Sequence, residues 1–188
     1  PRTPWKVTMG DVNNQASIAA TDKGMSLRCY MTKGAQNPQA TYQINPIKGK
    51  ITIEGDYRAE TAAGQKRIVL YDSNRTGAQL ASIAPTGDIR VYDVDREAVI
   101  RTYIPGKWYH IKIEADIDRQ IFDTYIDGKL YYKGAGFRYM SLSSGYVFDW
   151  SKGATQFRVD CYSPDDDIVE FFADNLLLYP GWGEEDLL

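Results

Sequence analysis

The sequence predicts an all-β fold, a two-sheet antiparallel β-sandwich, and three observations carry that prediction. Short runs along most of the 188 residues alternate apolar with polar side chains, the period of a strand with one buried face. Gly, Asp, Asn and Pro separate the runs, and these residues reach turn geometries at little cost. Aromatic residues reach 13% of the chain, as 14 Tyr, 6 Phe and 4 Trp, and large rings suit a pleated, half-buried surface. No segment holds an apolar period of 3.6 over three turns, so little helix is expected.

The runs justify the strands in order. Gly24 to Thr32 sets Met25, Leu27, Cys29 and Met31 against Ser26, Arg28 and Tyr30. Lys50 to Arg58 sets Ile51, Ile53, Gly55 and Tyr57 against Thr52, Glu54, Asp56 and Arg58. Arg67 to Asp72, Gln79 to Ala84, Ile89 to Asp93 and Val99 to Tyr103 follow, then Trp108 to Ala115, Gln120 to Asp127 and Leu130 to Lys133. Thr155 to Tyr162 and Ile168 to Tyr179 close the series. One domain is expected, with its core from about 25 to 179 and a tail at 181–188, since no linker, repeat or low-complexity stretch interrupts it. Cys29 and Cys161 each fall on an inward-facing position, as two buried thiols or as one inter-strand bridge; spacing does not choose between them.

Trp108 to Leu130 forms the clearest local unit, a hairpin around the loop Ala115-Asp116-Ile117-Asp118-Arg119. If Ile111 and Ile113 point inward together with Phe122, Thr124 and Ile126, Ile113 stands opposite Phe122, His110 opposite Tyr125 and Lys112 opposite Asp123. The last pairing joins opposite charges on the outer face. Asp127-Gly128 then makes a tight turn into the next strand.

Net charge is −3 with basic and acidic residues interspersed, which argues against nucleic acid, a partner that demands a concentrated basic patch. No run approaches about 18 consecutive apolar residues, so no membrane-spanning helix is expected. The chain opens at Pro1-Arg2-Thr3-Pro4 without a leader, as expected for a mature protein or an excised module working outside the cell.

The strand Gly106-Lys107-Trp108-Tyr109-His110-Ile111-Lys112-Ile113, its acidic loop and Tyr125-Ile126-Asp127-Gly128-Lys129-Leu130 resemble the hairpin of concanavalin A-like lectin and glucanase jelly-roll sandwiches, including laminin G-like domains. Phe172-Ala173-Asp174-Asn175-Leu176-Leu177-Leu178 is similar to the closing strand of carbohydrate-binding sandwiches attached to polysaccharide-degrading enzymes. The resemblance implies a non-catalytic module that holds a catalytic domain of the same chain near its polysaccharide. It also implies a structural calcium ion, with Asp174 and Asp11 as its ligands, since calcium gathers six to eight oxygens.

Sugar recognition needs aromatic platforms and planar hydrogen-bonding groups. The polar strand faces offer Arg28 with Tyr30, Arg90 with Tyr92, His110 with Tyr125, and Arg158 with Tyr162, while Tyr139 and Trp150 are candidate rim aromatics. A face rich in Arg suits an acidic polysaccharide, because guanidinium grips carboxylate or sulfate with two hydrogen bonds. Two alternatives remain. One is a lyase or glycosidase, using His110 and Tyr125 for proton transfer or Glu54 and Asp56 as paired carboxylates. The other is a laminin G-like domain that recognises protein. Zinc spacings, phosphate-cradling glycine loops and the Gly-x-Ser-x-Gly elbow are absent from the sequence.

Overall fold

In the computed structural model the described residues are 6–8, 14–32, 37–140 and 148–181, with side chains described from 14 onward. They form β1 (Lys6–Thr8), β2 (Asn14–Thr21), β3 (Gly24–Met31), β4 (Gln39–Ile47), β5 (Lys50–Ala59), β6 (Gln65–Tyr71), β7 (Gly77–Ala84) and β8 (Asp88–Asp93). The series continues with β9 (Arg96–Thr102), β10 (Tyr109–Asp116), β11 (Ile121–Ile126), β12 (Lys129–Gly136), β13 (Arg138–Tyr139), β14 (Ala154–Tyr162) and β15 (Val169–Pro180). The first sheet has the order β1-β4-β14-β6-β7-β8-β9, with β13 paired beside β7; the second has the order β12-β11-β10-β5-β15-β3-β2. Neighbouring strands of both sheets pair antiparallel, so the expected all-β sandwich is what forms.

Alternation builds the core between the sheets. Ile111, Ile113 and Ala115 of β10, Ile51 and Ile53 of β5 and Phe122 of β11 meet Ile68 and Leu70 of β6 and Phe157 and Val159 of β14 in one buried cluster. A side chain of this size contributes about 1.5–3 kcal/mol when fully buried. Cys29 of β3 and Cys161 of β14 join the same cluster as free thiols, and burial raises both above the ordinary thiol range.

The sheets are also tied at one edge. Asp93, at the β8–β9 turn, accepts hydrogen bonds from the Gly136 amide at 2.8 Å and the Tyr132 hydroxyl at 2.8 Å, both on β12 of the other sheet. Val94 beside it holds a left-handed φ of 48°, costly for a β-branched residue, and its own amide donates to the Gly136 carbonyl.

Three sequence expectations need correction. The strands β2 and β4 lie where no strand is expected, because their low aliphatic alternation is overridden by pairing with β3 and β14. In the β10–β11 hairpin Ile113 faces Thr124, Lys112 faces Tyr125 and Glu114 faces Asp123, two residues away from the expected register. The reason is that Ala115 and Asp116 continue β10 and Ile117 tucks into the core, which lengthens the strand. A shift of two leaves every side chain on its expected face. Finally, Trp150 is no rim aromatic: it is 6% exposed and packs edge-on against Phe137 with centroids 5.0 Å apart. Asp11 and the tail beyond Gly181 lie outside the described residues.

Candidate functional site

On the outer face of the first sheet, alternation places polar side chains behind each aliphatic one. Arg67 of β6 stands opposite in facing to Ile68 and Leu70, Arg158, Asp160 and Tyr162 of β14 to Phe157, Val159 and Cys161, and Arg90 and Tyr92 of β8 to Ile89 and Val91. In β7 the register slips, because Ile68 pairs with Ala81 while Val69 pairs with Gln79. This bulge turns both Leu80 and Ala81 into the core and leaves Gln79 on the outer face.

Several of these side chains line a cleft of about 210 Å³, whose walls include Arg67, Gln79, Tyr92, Glu97, Arg138 and Tyr162. Its charges are organised in shared pairs. Arg67 grips Asp160 with two hydrogen bonds, 2.6 and 3.1 Å, and Arg158 Nε lies 2.8 Å from the same carboxylate. Glu97 accepts from Arg90 at 2.7 Å and from Arg138 at 3.1 Å. With Asp88 on Arg90, four guanidiniums meet three carboxylates. The Arg138 guanidinium lies 5.2 Å from the Tyr92 ring, and that of Arg67 5.2 Å from the Tyr162 ring. Such stacked, paired arginines are held in place before any ligand arrives.

Gln79 takes no part in this pairing. It is 7% exposed, and its Nε2 is a buried donor with no hydrogen-bond partner. Native interiors rarely leave such a group unsatisfied, since the lost hydration costs about 1–3 kcal/mol. Burial pushes the hydroxyls of Tyr92 and Tyr139 above the ordinary tyrosine range, against the opposing hydrogen bond with Ser82 in the case of Tyr92.

The sequence-predicted residues divide between two faces of the sandwich. Arg90, Tyr92, Arg158, Tyr162 and Tyr139 gather on the first sheet, where Tyr139 stacks on Phe148 and donates to Gln120. Arg28, Tyr30, His110 and Tyr125 lie on the outer face of the second sheet. There Arg28 pairs with Glu170 at 2.6 Å and lies over Tyr30, and Tyr125 donates to Glu114 beneath Lys112. The two groups do not meet. Arg67, Gln79 and Glu97 belong to the cleft although no motif marks them. Strand alternation reveals Arg67, while the bulge that turns Gln79 outward leaves no sequence signal.

His110 sits between Asp56, 3.0 Å from Nδ1, and Glu54, 3.2 Å from Nε2. Burial works to raise Asp56, but hydrogen bonds from Lys23, Asn175 and His110 outweigh it and hold the carboxyl below its ordinary range. A carboxyl held ionised cannot serve as the protonated acid of a retaining glycosidase, although it suits the nucleophile of one. Gly55, between the two acids, leaves room for Leu176, whose Cδ2 stands 2.6 Å from where a Cβ would sit. Asp174 accepts from Ser26 and from the Asn175 amide. Among the described residues no three His, Cys, Asp or Glu side chains gather as a metal group; Asp11, the other expected calcium ligand, lies outside them.

Two stacked antiparallel sheets make this an all-β sandwich, an arrangement that fits a concanavalin A-like fold. No protein-family model matches the chain, and no curated protein matches it. A solved sialidase superposes over 97% of this chain with a TM-score of 0.70 at 15% identity, and the chain spans 17% of that sialidase. The carbohydrate binding module CBM66 from Bacillus subtilis matches over 94% of this chain and 96% of its own, with a TM-score of 0.55 and 19% identity. An alginate lyase from polysaccharide lyase family 7 matches over 95% and 94%, with a TM-score of 0.56 and 12% identity. At these identities what is shared is the fold.

Proposed function

We propose that this chain is a non-catalytic module that binds an acidic polysaccharide in the cleft on the outer face of the first sheet. The observation that carries the reading is the pre-paired arginine and tyrosine wall around a buried amide donor that lacks a partner. Gln79 lines the cleft beside them, a carboxylate or sulfate is drawn to Arg138 and Arg67, and Tyr162 offers a ring face to the apolar side of a pyranose. The fold shared with a carbohydrate binding module supports this reading by analogy.

Binding is favoured over catalysis by the way the charges of the site are already paired. Glu97 and Asp160 are each held between two arginines, and the cleft tyrosines Tyr92 and Tyr139 are pushed toward the neutral form. Neither a free carboxylate pair nor a lowered tyrosine faces the cleft from these residues, whereas a lyase needs a base that takes a proton near neutral pH. The one histidine lies on the opposite sheet. In this reading the module works outside the cell beside a polysaccharide-degrading domain, raising that domain's effective concentration at its polymer.

Affinity electrophoresis in gels containing uronate-bearing polymers, run beside an assay for released product, tests the proposal. Retardation without product formation is expected. Unretarded migration in every polymer, or chain cleavage that His110→Ala abolishes, contradicts it.

A further inference from the structure

We propose that the cleft is one half of a two-subsite channel for a chain in which an acidic sugar is followed by an uncharged one. This rests on the saccharide-binding reading and adds the pattern of the ligand. A second cavity, of about 320 Å³, adjoins the cleft and shares two wall residues with it, Gln65 and Tyr162. Tyr162 ends β14, is 36% exposed, and stands 5.2 Å from the Arg67 guanidinium. Its ring is thus the partition that a bound chain must pass.

The two cavities differ in charge. The cleft presents Arg67 and Arg138, each already sharing a carboxylate (Asp160 and Glu97), together with the unpartnered amide of Gln79, which is over nine-tenths buried. The second cavity has Pro85 and Pro164 beside the Tyr162 ring, and its charged lining residues are Asp165 and Asp167, with neither arginine nor lysine. Asp167 accepts only the neutral hydroxyl of Ser163, at 3.1 Å, from within this wall. A carboxylate fits the first cavity and is repelled from the second, while an uncharged pyranose can lay its apolar face on Tyr162 and the prolines. A polymer with an acid on every unit places one charge well and the next one badly. A polymer whose acids alternate with uncharged units satisfies both cavities.

The test compares retention by alternating acidic polymers (hyaluronan, chondroitin and heparosan), by polygalacturonate, which is charged at every unit, and by dextran, which is uncharged. At least one alternating polymer is expected to be retained about tenfold more tightly than polygalacturonate, equivalent to about 1.4 kcal/mol. Replacing both acids, Asp165→Asn with Asp167→Asn, is expected to close most of that gap by strengthening retention on polygalacturonate. Tyr162→Ala weakens retention on the alternating polymer. Equal or stronger retention by polygalacturonate, or a ratio that the double variant leaves unchanged, overturns the two-subsite pattern and leaves the saccharide-binding reading standing. If none of these polymers is retained, both fall.

Discussion

Gln79 carries an amide whose Nε2 is buried and donates to nothing within the protein, and a group in that condition weighs against stability in the absence of ligand. Replacing it with Met, of similar length and without the donor, is expected to stabilise the free protein by about 1 kcal/mol, a rise in melting temperature of about 2–4 °C for a chain of this size. The same variant is expected to lose at least about tenfold in polysaccharide retention. Calorimetry and affinity electrophoresis on one preparation check both halves. A variant that is less stable, or that binds as well as the parent, contradicts the role given to Gln79. Part of this site is legible in the sequence and its centre is not, for a definable reason. Alternation tells that Arg90, Tyr92, Arg158 and Tyr162 face away from the core, and the structure agrees. It does not tell which sheet a strand joins, so Arg28, Tyr30, His110 and Tyr125 appear equivalent to them and lie on the other side.

The connection between β5 and β6 is organised by one buried cation. Lys66 is 1% exposed, and its Nζ donates to the carbonyls of Thr61 at 2.7 Å, Ala63 at 2.6 Å and Gly64 at 3.3 Å. Burial is the main influence on it and lowers its pKa to about 8 from 10.5. Between these two values the unfolded chain binds a proton that the folded chain has released, so this group makes stability rise with pH across that window. Buried acids act oppositely: Cys161, and Tyr71 and Tyr103, are raised to about 12 by burial, and stability declines where their unfolded counterparts ionise. The contribution of Lys66 is therefore read as a difference from Lys66→Met. Chemical denaturation is expected to show the parent gaining on the variant by on the order of 2 kcal/mol from pH 8 to 10.5; a difference independent of pH contradicts it. At this scale the sequence reveals most strands but not their ends. The β10–β11 register slips by two because Ala115 and Asp116, which resemble a loop in composition, are held as strand by β5 on one side and β11 on the other. The strand β2, rich in Ala, Ser and Thr, exists because β3 offers it an edge.

For the whole molecule, two polar faces lie on opposite sides of a single core, and they differ in kind. On the second sheet the charged groups close on one another, with His110 between Glu54 and Asp56, Lys23 on Asp56 and Arg28 on Glu170. On the first sheet the arginines are equally paired, but they surround a cleft with an unsatisfied donor in its wall. The division into sheets was beyond sequence reading, since it depends on strand order, which non-local pairing decides. The most direct measurement is a backbone and side-chain amide NMR titration of the intact chain with oligosaccharides cut from hyaluronan and from polygalacturonate. The side-chain amide of Gln79 and the signals of Arg67, Arg138 and Tyr162 are expected to shift on binding while those of His110, Glu54 and Arg28 stay in place. Shifts confined to the face that bears His110, or none with either saccharide, contradict it.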